Sequence, residues 1–308
     1  MEDNMKITAH MWETLSREEK DKEKIDRPVM TYWQDVWRRL KKNYLAMIGL
    51  VTIILIFLVA ILGPYLSSYT FSDQDLEITN QSMSMKHWFG TDSHGRDLLI
   101  RVIHGARVSL TVAVVASIVN FFIGIVYGGI SGYMGGKVDN IMMRIVDVIS
   151  TIPLVLYAII LMVVLKRGLS SVILAIGTIY WVRMARIVRG QILSLKELEY
   201  VLAAKTLGAS TWRILFRHLI PNAMGPIIVT MTMMIPSAIF TESFLSFIGL
   251  GVSAPKPSWG SLASDALGGL RSYPYQLFFP SIAICITMLA FNFLGDGLRD
   301  ALDPRLRK

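Results

Sequence analysis

Cysteine is nearly missing from this chain of 308 residues: Cys285 stands alone, so no disulfide can close within it. Histidine is scarce, five in all, and His87 and His94 have no third ligand at metal-binding spacing. No glycine-rich loop ends in Lys-Ser or Lys-Thr, which excludes ATP binding in the P-loop manner. The apolar stretches hold no clustered His, Asp and Ser of the kind a membrane-embedded enzyme needs. They also show no inverted repeat of the kind a secondary transporter needs. Residues 1–30 mix charges and contain no apolar h-region, so no cleavable signal peptide is expected. The net charge is +8, yet the basic residues flank apolar runs and form no stripe for a nucleic acid.

Long apolar runs are what the chain has instead. Apolar residues make up 53% of it, and mean hydropathy is +0.49. A bilayer core about 30 Å thick needs roughly 20 apolar residues in a helix. Six stretches suit that length: 44–66, 108–131, 141–165, 171–191, 223–249 and 277–298. The expected fold class is therefore all-α, a polytopic membrane protein with six transmembrane helices. Residues 1–30 read as a tail. Residues 31–43 read as a helix in the membrane interface, with Tyr32, Trp33, Val36, Trp37 and Leu40 at helical spacing beside Arg38, Arg39, Lys41 and Lys42; docking on protein is the other reading. Residues 67–106 form a polar loop, 107–298 a transmembrane core with a polar loop at 192–222, and 299–308 a charged tail. Pro153 is expected to kink the third span. Gly124, Gly128, Gly129 and Gly132 recur at spacings that favour close helix contact.

Basic residues orient the chain. With the N-terminus inside, cytoplasmic segments hold ten Lys and Arg between Lys6 and Lys42, two at Lys137 and Arg144, seven from Arg183 to Arg217 and four from Arg299 onward. That is 23, against eight outside. The positive-inside rule then puts both termini and the 192–222 loop in the cytoplasm.

Residues 199–222 are the most informative segment. They read as one helix, a break at Gly208, and a second helix that Pro221 stops. Ala203 and Ala204 give a small-residue face, Gly208 suits a helix end, and Ser210 or Thr211 suits the next cap. With no convergent acids or nucleophile, the segment suits docking of a partner.

Ala203-Ala204, Gly208 and Pro221 at these distances resemble the cytoplasmic coupling motif of ABC importer permeases. Leu202 stands where that family has Glu, and Glu199 lies one turn earlier on the same face. His87–Leu98 with Gly105–Leu110, then Glu242–Gly251 with Pro255–Gly260, and the tail from Asn292 to Arg305 resemble the C-type subunit of dipeptide and oligopeptide permeases. The resemblance covers residues 33–308. It implies the type I importer permease fold in a bacterial-type inner or plasma membrane, importing peptides; nickel complexes or another small solute are the alternative cargo. It implies a second, homologous permease as heterodimer partner, two cytoplasmic ATPases that bind ATP and Mg, and an extracytoplasmic peptide-binding protein. No cofactor is expected in this chain. Glu199, Ala203, Ala204, Gly208 and Pro221 would couple to the ATPase.

The remaining polar groups leave choices open. Phe89, Gly90, Asp92, Arg96 and Asp97, with Trp259, would face the binding protein or shape an outer gate; a self-locked loop with Arg96 on Asp92 is the other reading, and both can hold. Glu242, an acid within a span, would line the pathway; bonding to small neighbours such as Ser243 or to another helix is the other reading. Asp147 is expected to pair with Arg144 at i,i+3. Arg183, Arg186 and Arg189 would snorkel to headgroups.

Overall fold

The computed structural model describes residues 30–166, 168–252 and 254–303. The expected N-terminal tail, apart from Met30, and residues 304–308 lie outside them. Among the described residues the regular structure is helical, with one isolated β-bridge between Thr91 and Asp97.

Helix α1 spans Tyr32–Lys42 and α2 spans Tyr44–Leu66. Gln34 Oε1 accepts from the Thr31 N–H, which fixes the start of α1. Asn43 separates the two helices and caps α2, its Oδ1 accepting from the Ala46 N–H. Val36 and Leu40 bury the apolar side of α1 against Ala301 and Leu302 at the far end of the chain. The long α3 spans Leu98–Met134. Next come α4, Gly136–Thr151, and α5, Leu154–Leu165. Helix α6 spans Leu169–Leu195, α7 Glu199–Thr206, α8 Thr211–Phe247, α9 Trp259–Asp265 and α10 Tyr275–Leu302.

Five of these helices are long and apolar enough to cross a membrane, and six spans result if α4 and α5 count as one bent pair. The bend is 84°. Pro153 causes it: the ring disfavours the α conformation at Ile152, which is extended at ψ 120°, so α4 ends there and α5 restarts. A kink was expected at this position; the structure has a full break.

The interior is built on α3 against α6. Gly124, Gly128 and Gly132 lie four apart on one face of α3, and side chains there would collide with Met184, Ala185 and Arg189–Ile192 of α6. The seam is the small-residue packing that membrane helices use, where close backbone approach replaces a hydrophobic driving force. Helix α8 packs on α3, α6 and α10, and α10 packs on α2. Gly49 of α2 sits against Ala290 and Phe293 of α10.

Two expectations about this frame change. The loop after α2 ends at Asp97, not at residue 106, because Asp97 Oδ1 accepts from the Ile100 N–H and caps α3, which starts ten residues before the apolar run at 108. Pro221 does not stop a helix either. Residues Ile214–Leu219 widen into a π-helical turn, the Ile220 N–H reaches back to Leu215 O, and the helix continues to Phe247. Proline lacks an N–H and crowds the carbonyl four residues back, so the wider turn accommodates it.

Candidate functional site

The segment between α6 and α8 is a short, closed turn of structure. Helix α7 ends in a Schellman cap: Ala209 N–H bonds Ala204 O and Gly208 N–H bonds Lys205 O, each at 3.0 Å. Gly208 holds φ +75°, the left-handed region glycine adopts without penalty. Ser210 then caps α8 by accepting from the Arg213 N–H. Val201, Ile214, Leu215 and Leu219 are buried with Ile192 and Val188 of α6, so the turn is anchored to the bundle by its inner face. Lys196 Nζ donates to Gly132 O, and Lys205 lies over the Tyr133 ring, tying the segment to the end of α3.

The outer face carries the predicted residues Glu199, Ala203 and Gly208, all exposed, with Ala204 half-buried and Pro221 exposed at the start of the apolar run. A side chain at Gly208 would meet no atom of this chain within 4 Å. Leu202, Leu207, Trp212 and Phe216 are exposed on the same segment, Leu207 at 87%. Neighbouring large apolar side chains left open outside the spans mark an interaction surface. Leu207, Trp212 and Phe216 carry no mark in the sequence because their types fit an amphipathic helix equally well, whereas Leu202 is marked by its place in the motif. Glu199 in the first turn of α7 complements the helix dipole.

The loop between α2 and α3 is a bonded knot. Asp92 accepts from the backbone N–H groups of His94 and Arg96, and from Arg96 Nε at 2.7 Å. Asp97 Oδ2 lies 2.8 Å from His87 Nδ1 while its other oxygen caps α3. Thr91 Oγ1 donates to Ile78 O and accepts from Gln81 N–H. Gln276 and Tyr275 of α10 bond Thr91 O and Gln81 O, and Phe89 stacks on Phe279. Arg101 of α3 lies within 3.4 Å of Asp92 and 3.6 Å of Asp265. Gly90, Asp92, Arg96, Asp97 and Trp259 are buried and Phe89 is half-buried. The self-locked reading, with Arg96 on Asp92, describes these side chains: they hold the loop in shape. Trp259 is sealed with Nε1 donating to Val102 O. The loop's open face is made by Met83, Met85 and Trp88.

Glu242 has none of its surface open. Ser109 Oγ of α3 and Ser246 Oγ of α8 each donate to it at 2.7 Å, and Ser109 also accepts from the Trp259 N–H. The acid thus joins α3, α8 and α9, and a pathway-lining role has no access in this conformation. The basic residues of α6 change likewise. Asp147 pairs with Arg186 at 2.9 Å, not with Arg144, and Arg189 grips Asp139 with two N–H groups while Ser131 donates to the same carboxylate. Arg186 and Arg189 are therefore cross-helix ties. Arg183 stays exposed.

Comparison with known proteins decides the family. A family described as "Binding-protein-dependent transport system inner membrane component" matches residues 124–308, the part that holds α6, α7 and α8. The chain belongs to this family. A second family, the "N-terminal TM domain of oligopeptide transport permease C", matches residues 31–82. Relatives of this inner membrane component include the oligopeptide transport system permease protein OppC of Bacillus subtilis (strain 168), 52% identical over 98% of this chain and 99% of that one. The dipeptide transport system permease protein DppC of the same organism is 51% identical over 96% and 93%. OppC of Escherichia coli (strain K12) is 44% identical over 92% and 95%. Among solved structures, one of the MetNI methionine ABC transporter in an inward-facing conformation aligns with a TM-score of 0.54 at 18% identity. It covers 67% of this chain and 98% of that one, a likeness of fold. The inner membrane component described here is thus a multi-pass membrane protein with an importer permease fold.

Proposed function

We propose that the chain is one permease subunit of an ATP-driven importer of oligopeptides or dipeptides. The observation that carries this reading is the α7 cap: a rigid, inward-anchored turn that turns Ala203, Gly208 and four large apolar side chains away from its own bundle. Such a surface fits a groove on a partner. With the cytoplasmic orientation argued from the basic residues, that partner is an ATPase subunit, one of two, which would bind ATP and Mg and perform the hydrolysis. A second, homologous permease would complete the pathway, and an extracytoplasmic peptide-binding protein would deliver cargo to the outer loop. Peptide cargo is supported by the names of relatives at 52% and 51% identity over nearly the whole chain.

Mechanically, the segment suits transmission. A short capped turn over residues 207–210 joins α7 to α8, whose π turn and Pro221 carry the helix unbroken into the bundle, where it packs on three other spans. A push on α7 is therefore passed to α8 through one short, bonded turn, as alternating access requires. Gly208→Asp and Ala204→Asp test the reading. Both leave the spans untouched, so membrane insertion stays normal. Loss of ATPase co-purification and of ATP-dependent peptide uptake is the expected result, with peptide capture by the binding protein unchanged. Normal uptake in both variants overturns it.

A further inference from the structure

Where α1 meets the end of α10, the structure has an open cavity of about 290 Å³. Its lining includes Arg38, Arg39 and Lys42 from α1, Asn43 from the junction, and Gly297 and Asp300 from α10. Three cations thus face one carboxylate. Asp35 takes one Nη2 from each arginine, at 2.7 and 2.9 Å, which leaves most of the five N–H groups of each guanidinium for another acceptor. Lys42 has no ion-pair partner among the described residues.

The height of this cavity identifies its surroundings. The apolar run of α2 begins at Tyr44, immediately after Lys41 and Lys42, and the apolar run of α10 gives way to Asp296, Arg299 and Asp300. The two helices are level there, because Gly297 lies directly against Ala46. Both walls therefore cross from apolar to charged at one plane, the depth of lipid headgroups. Trp33 and Trp37 of α1 and Tyr44 of α2 are exposed on the elements that flank the cavity, aromatic side chains of the kind found at a bilayer surface. Leu45 and Ile48, in the first turn and a half of α2, are exposed below it, where acyl chains run.

We propose that this cavity is a binding site for the headgroup of an anionic phospholipid. The phosphodiester would take N–H groups from Arg38, Arg39 and Lys42, in the manner of basic pockets between membrane helices. Asp300 sharpens the choice. Its carboxylate repels a dianion such as inorganic phosphate near neutral pH, tolerates a phosphodiester monoanion, and can accept from a hydroxyl of a glycerol headgroup. Bound there, the lipid would tie α1 to α10, and through Ala46 and Gly297 to α2. The site is independent of the cargo and of the ATPase surface.

The test uses the full chain, purified in mild detergent and incubated with equal amounts of phosphatidylglycerol and phosphatidylcholine, with bound lipid read by native mass spectrometry. Selective retention of phosphatidylglycerol is expected, and Arg38→Gln/Lys42→Gln should weaken it by about five- to thirtyfold, at roughly fivefold per basic residue near the surface. Lys137→Gln/Arg217→Gln, which removes the same charge elsewhere, should retain lipid as the natural chain does. Unchanged elution and circular dichroism establish that the first variant is folded; if it is not, Lys42→Gln alone is expected to lose about fivefold. Equal retention of the two lipids, or equal loss in the control variant, overturns the proposal. Displacement of the lipid by inorganic phosphate would make this a free-anion site, and its release on assembly with the other subunits would make it a protein interface; either result overturns the assignment to lipid.

Discussion

Removing the Glu242 carboxylate should loosen the packing of α3, α8 and α9 and leave the transport route itself untouched. The acid is fully buried and takes hydrogen bonds from Ser109 and Ser246, both at 2.7 Å. Glu242→Ala strands two hydroxyls, and a buried donor without a partner costs about 1–3 kcal/mol. Interhelical hydrogen bonds in a membrane average nearer 0.6 kcal/mol, with about 1.7 at the top, because the separated helices also find partners. A loss of about 2–4 kcal/mol is expected, the vacated volume adding to the bonds. Glu242→Gln keeps one acceptor oxygen and should lose less than about 1.5 kcal/mol. Equilibrium unfolding in mixed micelles, followed by tryptophan fluorescence, measures this. Trp259 is a fitting reporter, since its backbone N–H donates to Ser109 Oγ. A double-mutant cycle of Ser109→Ala with Glu242→Ala should give a coupling of about 0.6–1.7 kcal/mol. Stability equal to the natural chain in Glu242→Ala, together with lost uptake, refutes the reasoning and returns the acid to the pathway.

Gly128→Val should disrupt the α3–α6 seam, because a Cβ there meets the backbone of Ala185, at a cost of about 1–3 kcal/mol or more; Gly190→Ala, with nothing within 4 Å, should not, and the yield of monodisperse protein compares them. Orientation is open to labelling in a Cys285→Ser background: an impermeant maleimide should reach Ser72→Cys and Ser272→Cys from outside intact cells and miss Ser210→Cys, whereas labelling of the last would reverse the topology.

Much of the frame was legible because the signals are local. Apolar length alone marked the spans, and the spacing of Gly124, Gly128 and Gly132 marked a contact face, though not that α6 would occupy it. Gly208 and Ser210 announced a helix end and a cap, and both stand at those places. Proline shows where local reading fails. At Pro153 the chain breaks by 84°, while at Pro221 it runs on through a π turn. The residues around Pro221, namely Leu215, Leu219 and Ile220, are buried against α6 and hold the helix together. Around Pro153 the neighbouring Ile152 and Leu156 face outward, so no burial at that point holds the helix straight.

The amino-acid sequence by itself determined that the chain lies in a membrane, where its apolar runs start and stop, and which turn resembles a coupling motif. These depend on transfer energies and caps that act within a few residues. Only the tertiary structure decided where the charges went. Asp147 chose Arg186, 39 positions away, over Arg144 three positions away. Asp92, Arg96, Asp97 and Trp259 turned inward, and Glu242 closed on serines of two helices. A charge or polar group leaving water needs its partners at hydrogen-bond distance. Which partners come within that distance is set by the packing of helices far apart in the chain, and no spacing along one helix records it.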